Sequence, residues 1–161
     1  MSVENSKNPV WRERFFRYAP LILWIGVIFF LSSGQGAMSN TSRFIRPILE
    51  FLFPNSPEEV INLYHGYIRK LAHFTEYAVL AFFSYRTFYS SAQHFLRKFW
   101  FPLSFLLVFT VASLDEFNQS FLNSRTSSFR DVLLDTFGGF AMLTILLFYK
   151  TWRKNSQKPG R

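Results

Sequence analysis

Four runs of apolar residues dominate this chain: Tyr18 to Leu31, Leu71 to Tyr85, Trp100 to Leu114 and Val132 to Tyr149. A water-soluble protein of 161 residues has too little interior to bury all four. The pattern predicts an all-α, polytopic membrane protein with four transmembrane helices. The first run spans only about 21 Å as a helix, against a hydrocarbon core of about 30 Å. It must therefore continue past Ser32 and Ser33 or thin the bilayer locally.

Charge sets further bounds. The formal net charge is +8 and the pI about 10.0, a balance that raises nucleic acid as a partner. The basic residues, however, fall in short clusters between apolar runs and form no stripe, and 22 phenylalanines point to a greasy environment. Membrane lipid, and no nucleic acid, is the expected surrounding. Cysteine is absent, so a disulfide framework and a thiolate zinc site are both excluded. Lys7, Arg12, Arg14 and Arg17 precede the first apolar run as in a signal peptide, but the run ends in Ser-Ser-Gly-Gln-Gly-Ala without a small-x-small cleavage site. An uncleaved first span is the better reading.

Between the spans the expectations are local. Residues 1–10 are polar and read as loose, Pro20 fits the opening turn of span one, and Gly34 reads as its C-terminal cap. Arg43 to Phe53 carries three basic or acidic interruptions in an apolar segment, as an interfacial helix between spans one and two would. Ser56 is placed as N-cap of the next helix with Pro57 at its first position, and Gly66 offers a bend. Gly138, Gly139 and Ala141 let a neighbouring helix approach closely. Three regions result: a cytoplasmic segment 1–17, a membrane domain 18–149, and a basic, disordered cytoplasmic tail 150–161. With four spans, 12 basic residues fall on the side of the two termini and 6 on the other. The positive-inside rule then puts both termini in the cytoplasm.

On that topology the polar residues inside the apolar segments converge at the extracytoplasmic ends. Ser33 and Gln35 close span one; Arg69, Lys70, His73, Glu76 and Tyr77 open span two; Asp115, Glu116 and Gln119 close span three; Asp131 and Asp135 open span four. Ionisable groups at such depth are costly and mark function by default. Lys70, His73 and Tyr77 share one helical stripe, so Lys70 and His73 are expected to face Asp115, Glu116 and Gln119.

The pair of motifs Arg69-Lys70-x-x-His73-x-x-Glu76-Tyr77-x-x-Leu80 and Asp115-Glu116-x-x-Gln119, followed by Arg125 and Asp131-Val132-Leu133-Leu134-Asp135-Thr136-x-Gly138-Gly139, resembles the VanZ-like family of small bacterial membrane proteins. The resemblance runs from about Ser32 to Ala141. It implies a multi-pass protein of the bacterial plasma membrane, in a family named for a protein associated with teicoplanin resistance. Two departures stand out: Asn-Ser precedes Arg125 where Pro-Gly is the family habit, and Asp135 stands in place of Asn.

Several roles fit these residues. A ligand site would use Arg69, Lys70, His73, Tyr77, Asp115, Glu116, Gln119, Arg125, Asp131 and Asp135 to hold an envelope lipid, a lipid-linked precursor or a lipoglycopeptide. An enzyme would draw acid and base from His73, Glu76, Asp115 and Glu116. No nucleophile motif, phosphate loop or H-E-x-x-H spacing is present, and no resident cofactor or metal is expected. A hard or borderline cation at His73, Asp115 and Glu116 is the variant of that picture with a metal. A proton pathway is a further class, and a purely architectural reading pairs Lys70, His73 and Arg125 with the acids to pin helices together.

Overall fold

The computed structural model describes residues 8–35, 38–121 and 128–156. Their regular structure is entirely helical: α1 (Asn8–Phe30) continued by a π-helical turn (Leu31–Gln35), α2 (Met38–Leu52), α3 (Glu58–Tyr89), a short α4 (His94–Lys98), α5 (Trp100–Gln119) and α6 (Phe129–Ser156). Among the described residues, three segments are long and apolar enough to cross a membrane: Trp11–Ser33, Trp100–Gln119 and Phe129–Ser156. Each turns large apolar side chains outward, among them Leu23, Phe30, Leu106, Phe117, Ile145 and Phe148. Outside a bilayer such a surface would be a liability.

The central element is α3. It packs against α1, α2, α5 and α6, and at about 1.5 Å per residue its 32 residues reach roughly 48 Å. Its charged and polar residues keep it out of the apolar class of the other three, but Tyr77, Ser84 and Thr87 are buried against its neighbours. Two bonds fix α1 antiparallel to it: Trp24 Nε1–H donates to the Glu76 carbonyl at 2.9 Å, and the Thr87 hydroxyl to the Arg17 carbonyl at 3.1 Å.

The two adjacent glycines of α6 face different helices. A Cβ on Gly138 would collide with the backbone of Phe74 in α3, meeting the carbonyl carbon at 3.0 Å, Cα at 3.1 Å and the oxygen closer still. One on Gly139 would lie 2.5 Å from Val108 Cγ1 in α5. The glycine pair expected to admit a neighbour thus admits two. Tyr77, Leu80, Val108, Ala112 and Leu143 fill the space between these helices as the core.

Several local expectations are corrected. Helix α1 starts at Asn8, inside the stretch read as loose, and at its other end the chain widens into a π-helical turn where a glycine cap was expected. Pro57, not Ser56, occupies the N-cap position of α3, with no side-chain capping bond, and α3 runs unbroken through Gly66. The basic tail is helical through Ser156. Helix α2 has the amphipathic character expected, but it is docked: Leu49 and Ile61 are buried, Phe53 stacks on Tyr64 at 5.1 Å, and Arg46 bridges Glu50 and Glu58 at 2.7 and 2.9 Å. At the opposite end of α3, Tyr85, Tyr89 and Trp100 form an aromatic group, with Lys150 Nζ 4.3 Å from the Tyr89 ring centroid.

Candidate functional site

Close approach of α3 and α6 at Phe74 and Gly138 sets the site. One turn before Gly138 on α6 is Asp135, and one residue before Phe74 on α3 is His73. His73 Nδ1 lies 3.9 Å from Asp135 Oδ1 and 3.8 Å from Glu76 Oε2. Helix α5 supplies the third side. Its Asp115 is 1% exposed and Asp135 is 2% exposed, so both carboxylates are enclosed by the bundle.

Two donors orient Asp115. The Tyr77 hydroxyl donates to Oδ2 at 3.1 Å, and Gln119 Nε2 donates to the same oxygen at 3.0 Å from one turn along α5. Both bonds fall on Oδ2, leaving Oδ1 buried with no hydrogen-bond partner; Asp135 Oδ1 and Thr136 Oγ1 are in the same condition. One ligand atom each from His73, Asp115 and Asp135 lies within 4.8 Å of the other two. Buried carboxylate oxygens without partners are expensive, so their presence at the meeting point of three helices calls for a reason.

Of the residues named from sequence, His73, Glu76, Tyr77, Asp115, Gln119 and Asp135 come together. His73 meets Asp115 as expected, but Lys70 does not join it: the side chain is exposed and forms no ion pair with a described acid. Tyr77 on α3 meets Asp115 on antiparallel α5, so seven residues outward from Tyr77 corresponds to seven past Asp115. That level lies beyond Gln119, where α5 ends. Arg69 and Asp131 are half-buried flanking residues, and Arg125 lies outside the described residues.

Glu116 has a different task. Its Oε1 accepts the backbone N–H of Ser128, while the Ser128 hydroxyl accepts from Arg130 N at 3.2 Å and its carbonyl from Asp131 N at 2.9 Å. Ser128 is thus the N-cap of α6, and Glu116 ties that cap to the end of α5. In the cation alternative drawn from sequence, the third ligand was Glu116; the residue in that place is Asp135. Ser33 turns back onto the Phe30 carbonyl at 2.7 Å and stays exposed, so it is no part of the site, whereas its neighbour Ser32 is buried.

Sequence reasoning passed over Ser128 and Trp24. Ser128 had a signal, since Ser-x-x-Asp before an apolar run is a capping pattern. Trp24 had none, because an indole that satisfies a carbonyl on another helix looks like any lipid-facing aromatic.

Three apolar helices around a polar central one define a multi-pass membrane protein by helix length and hydropathy. The VanZ/LLP1 family model matches residues 17–153, most of the chain, and the chain belongs to that family. No curated protein and no solved structure matches it.

Proposed function

We propose that this chain acts in the bacterial cell envelope by binding the polar part of an envelope lipid, lipid-linked precursor or lipoglycopeptide antibiotic. The site is the His73, Asp115 and Asp135 cluster at the extracytoplasmic ends of the helices. The observation that carries the proposal is the pair of buried oxygens on Asp115 and Asp135 that accept no hydrogen bond. A cluster serving only to hold helices together would bring cations to these acids, since an unpaired buried charge weakens a bundle. Among the described residues, Lys70 and Arg130 are both exposed and pair with neither, and the titratable group beside the acids is His73, 3.9 Å from Asp135 Oδ1.

In this reading α3 is the fourth span, the membrane domain is 18–149, and residues 1–17 and the basic tail 150–161 are cytoplasmic. What supports the fourth span is position: α3 packs against all three candidate spans, which a helix lying outside the bilayer would not do. The 12 to 6 distribution of basic residues supports the orientation.

The test is teicoplanin susceptibility of a sensitive host expressing the protein, with membrane insertion measured in parallel. His73→Ala and Asp135→Asn should abolish any tolerance that the parent confers while inserting equally well. Tolerance unchanged in both variants would overturn the proposal. A second reading, acid–base catalysis on a lipid-linked substrate, is favoured by the approach of His73 to Glu76 and Asp135. It differs in requiring a chemically altered product, which lipid extracts from expressing cells would contain.

A further inference from the structure

We infer that His73, Asp115 and Asp135 form a binding site for one divalent transition-metal ion, with Zn2+ the best match to the donors. The inference rests on reading the cluster as a working site and adds what that site holds. Three observations converge on it.

The first is spacing. Donor atoms bound to one zinc at about 2.1 Å stand roughly 3.4 Å apart. Nδ1 of His73 and Oδ1 of Asp135 are 3.9 Å apart, and the three-residue set lies within 4.8 Å. Side-chain adjustments of about an ångström close it.

The second is the state of the oxygens. Asp115 is held by two hydrogen bonds that both fall on Oδ2, which leaves an enclosed Oδ1 without a hydrogen bond. Ligating carboxylates are commonly fixed by such outer hydrogen bonds, with one oxygen kept for the metal. Asp135, on a different helix, likewise has a buried Oδ1 that accepts no hydrogen bond. Asp115 is therefore not merely near the other donors; it is oriented by its own hydrogen bonds.

The third is charge and donor type. A divalent ion would offset the charge of the two carboxylates that hold it, with Glu76 a further acid 3.8 Å from His73 Nδ1, and such compensation suits a low-dielectric interior better than clustered acids alone. Imidazole favours zinc and its first-row neighbours, and three donors from the described residues would leave a fourth position for a further ligand. An open position there would accept a phosphate or carboxylate oxygen of an envelope ligand, giving an acidic site a means of holding an anion.

The experiment is calorimetric titration of the purified, metal-stripped full chain in detergent with Zn2+, and with Mg2+ for comparison. Near-stoichiometric Zn2+ binding is expected, with Mg2+ at least tenfold weaker. Asp135→Asn and His73→Ala should each weaken Zn2+ binding at least tenfold, and Tyr77→Phe, which removes only an orienting bond, by about tenfold. Because a cluster variant can fail to fold, the parent protein decides alone: a folded parent that takes up neither ion overturns the inference, as does Zn2+ binding that survives both cluster substitutions. The outcome is separable from that of the functional proposal. Loss of tolerance in His73→Ala from a parent that binds no metal sinks the ion and keeps the ligand site, whereas Zn2+ binding with unchanged tolerance does the reverse.

Discussion

Replacing Gly138 by alanine tests how the site is assembled without touching a polar atom. The added Cβ meets backbone, with the Phe74 carbonyl carbon at 3.0 Å and its Cα at 3.1 Å, and backbone in the middle of α3 cannot rotate away. Overpacking of this kind costs about 1–3 kcal/mol, and the upper half of that range applies to an unyielding neighbour. Alanine regains about 1 kcal/mol through its better helix propensity, leaving a net loss of about 1–2 kcal/mol. At about 2–4 °C per kcal/mol for a chain of this size, the melting temperature should fall by roughly 2–8 °C. Gly66 is the control, because a Cβ there meets nothing within 4 Å and the site lies in the same α3. Gly66→Ala should therefore raise the melting temperature by roughly 2–4 °C. Fluorescence-monitored melting of both variants in one detergent reads the difference, and Zn2+ titration of Gly138→Ala should show weakened binding as α6 carries Asp135 away from His73. A Gly138→Ala protein that melts at or above Gly66→Ala would refute the close α3–α6 approach.

Other outcomes follow from single contacts. Glu116→Gln keeps an oxygen to accept the Ser128 N–H, so it should melt near the parent, while Glu116→Ala loses the tie and should be destabilised by about 1–3 kcal/mol in the same assay. Lys150→Ala removes a cation from the faces of Tyr89 and Trp100 and should cost about 0.5–1 kcal/mol in a melting experiment. Arg46→Ala breaks two exposed ion pairs and should leave the melting temperature unchanged, a null result that a large drop would contradict. Reporter fusions after residue 92 should read cytoplasmic and those near 55 and 123 extracytoplasmic; a cytoplasmic signal at 123 would move the site to the inner face.

Hydropathy made the three apolar helices legible, and the polar residues within them announced the site. Helix ends were less legible, because a polar flank such as Arg153 to Ser156 carries no apolar periodicity, yet it continues a helix already nucleated by its neighbours. The site was half readable. Spans adjacent in sequence are natural partners, which brought His73 to Asp115, but the α3–α6 contact joins helices that are not consecutive. Only the glycine pair hinted at it, without saying which helix would come. Asp135 was therefore singled out as an extra acid and not recognised as the partner of His73. Lys70 misled for the opposite reason, since sharing a stripe with His73 says nothing about whether a neighbouring helix extends far enough to meet it.

The burial of Tyr77, Ser84 and Thr87 on the inner face of α3 has a consequence for how the protein is made. Helices α1, α5 and α6 carry enough greasy surface to partition into a bilayer one at a time. Helix α3 does not, since its hydroxyls and titratable groups would face lipid until the others arrived. On the four-span reading it leaves the insertion machinery early, before α5 and α6 have been synthesised, and must wait at the boundary with only α1 and α2 beside it. The Trp24 and Thr87 bonds between α1 and α3, together with the Arg46–Glu58 pair between α2 and α3, are then the tertiary contacts available before α5 and α6 arrive. The last helix to emerge, carrying Gly138 and Asp135, completes both the packing of α3 and its polar cluster in one event, so a chain truncated before α6 would be left with an unsheltered helix and a ready target for membrane quality control.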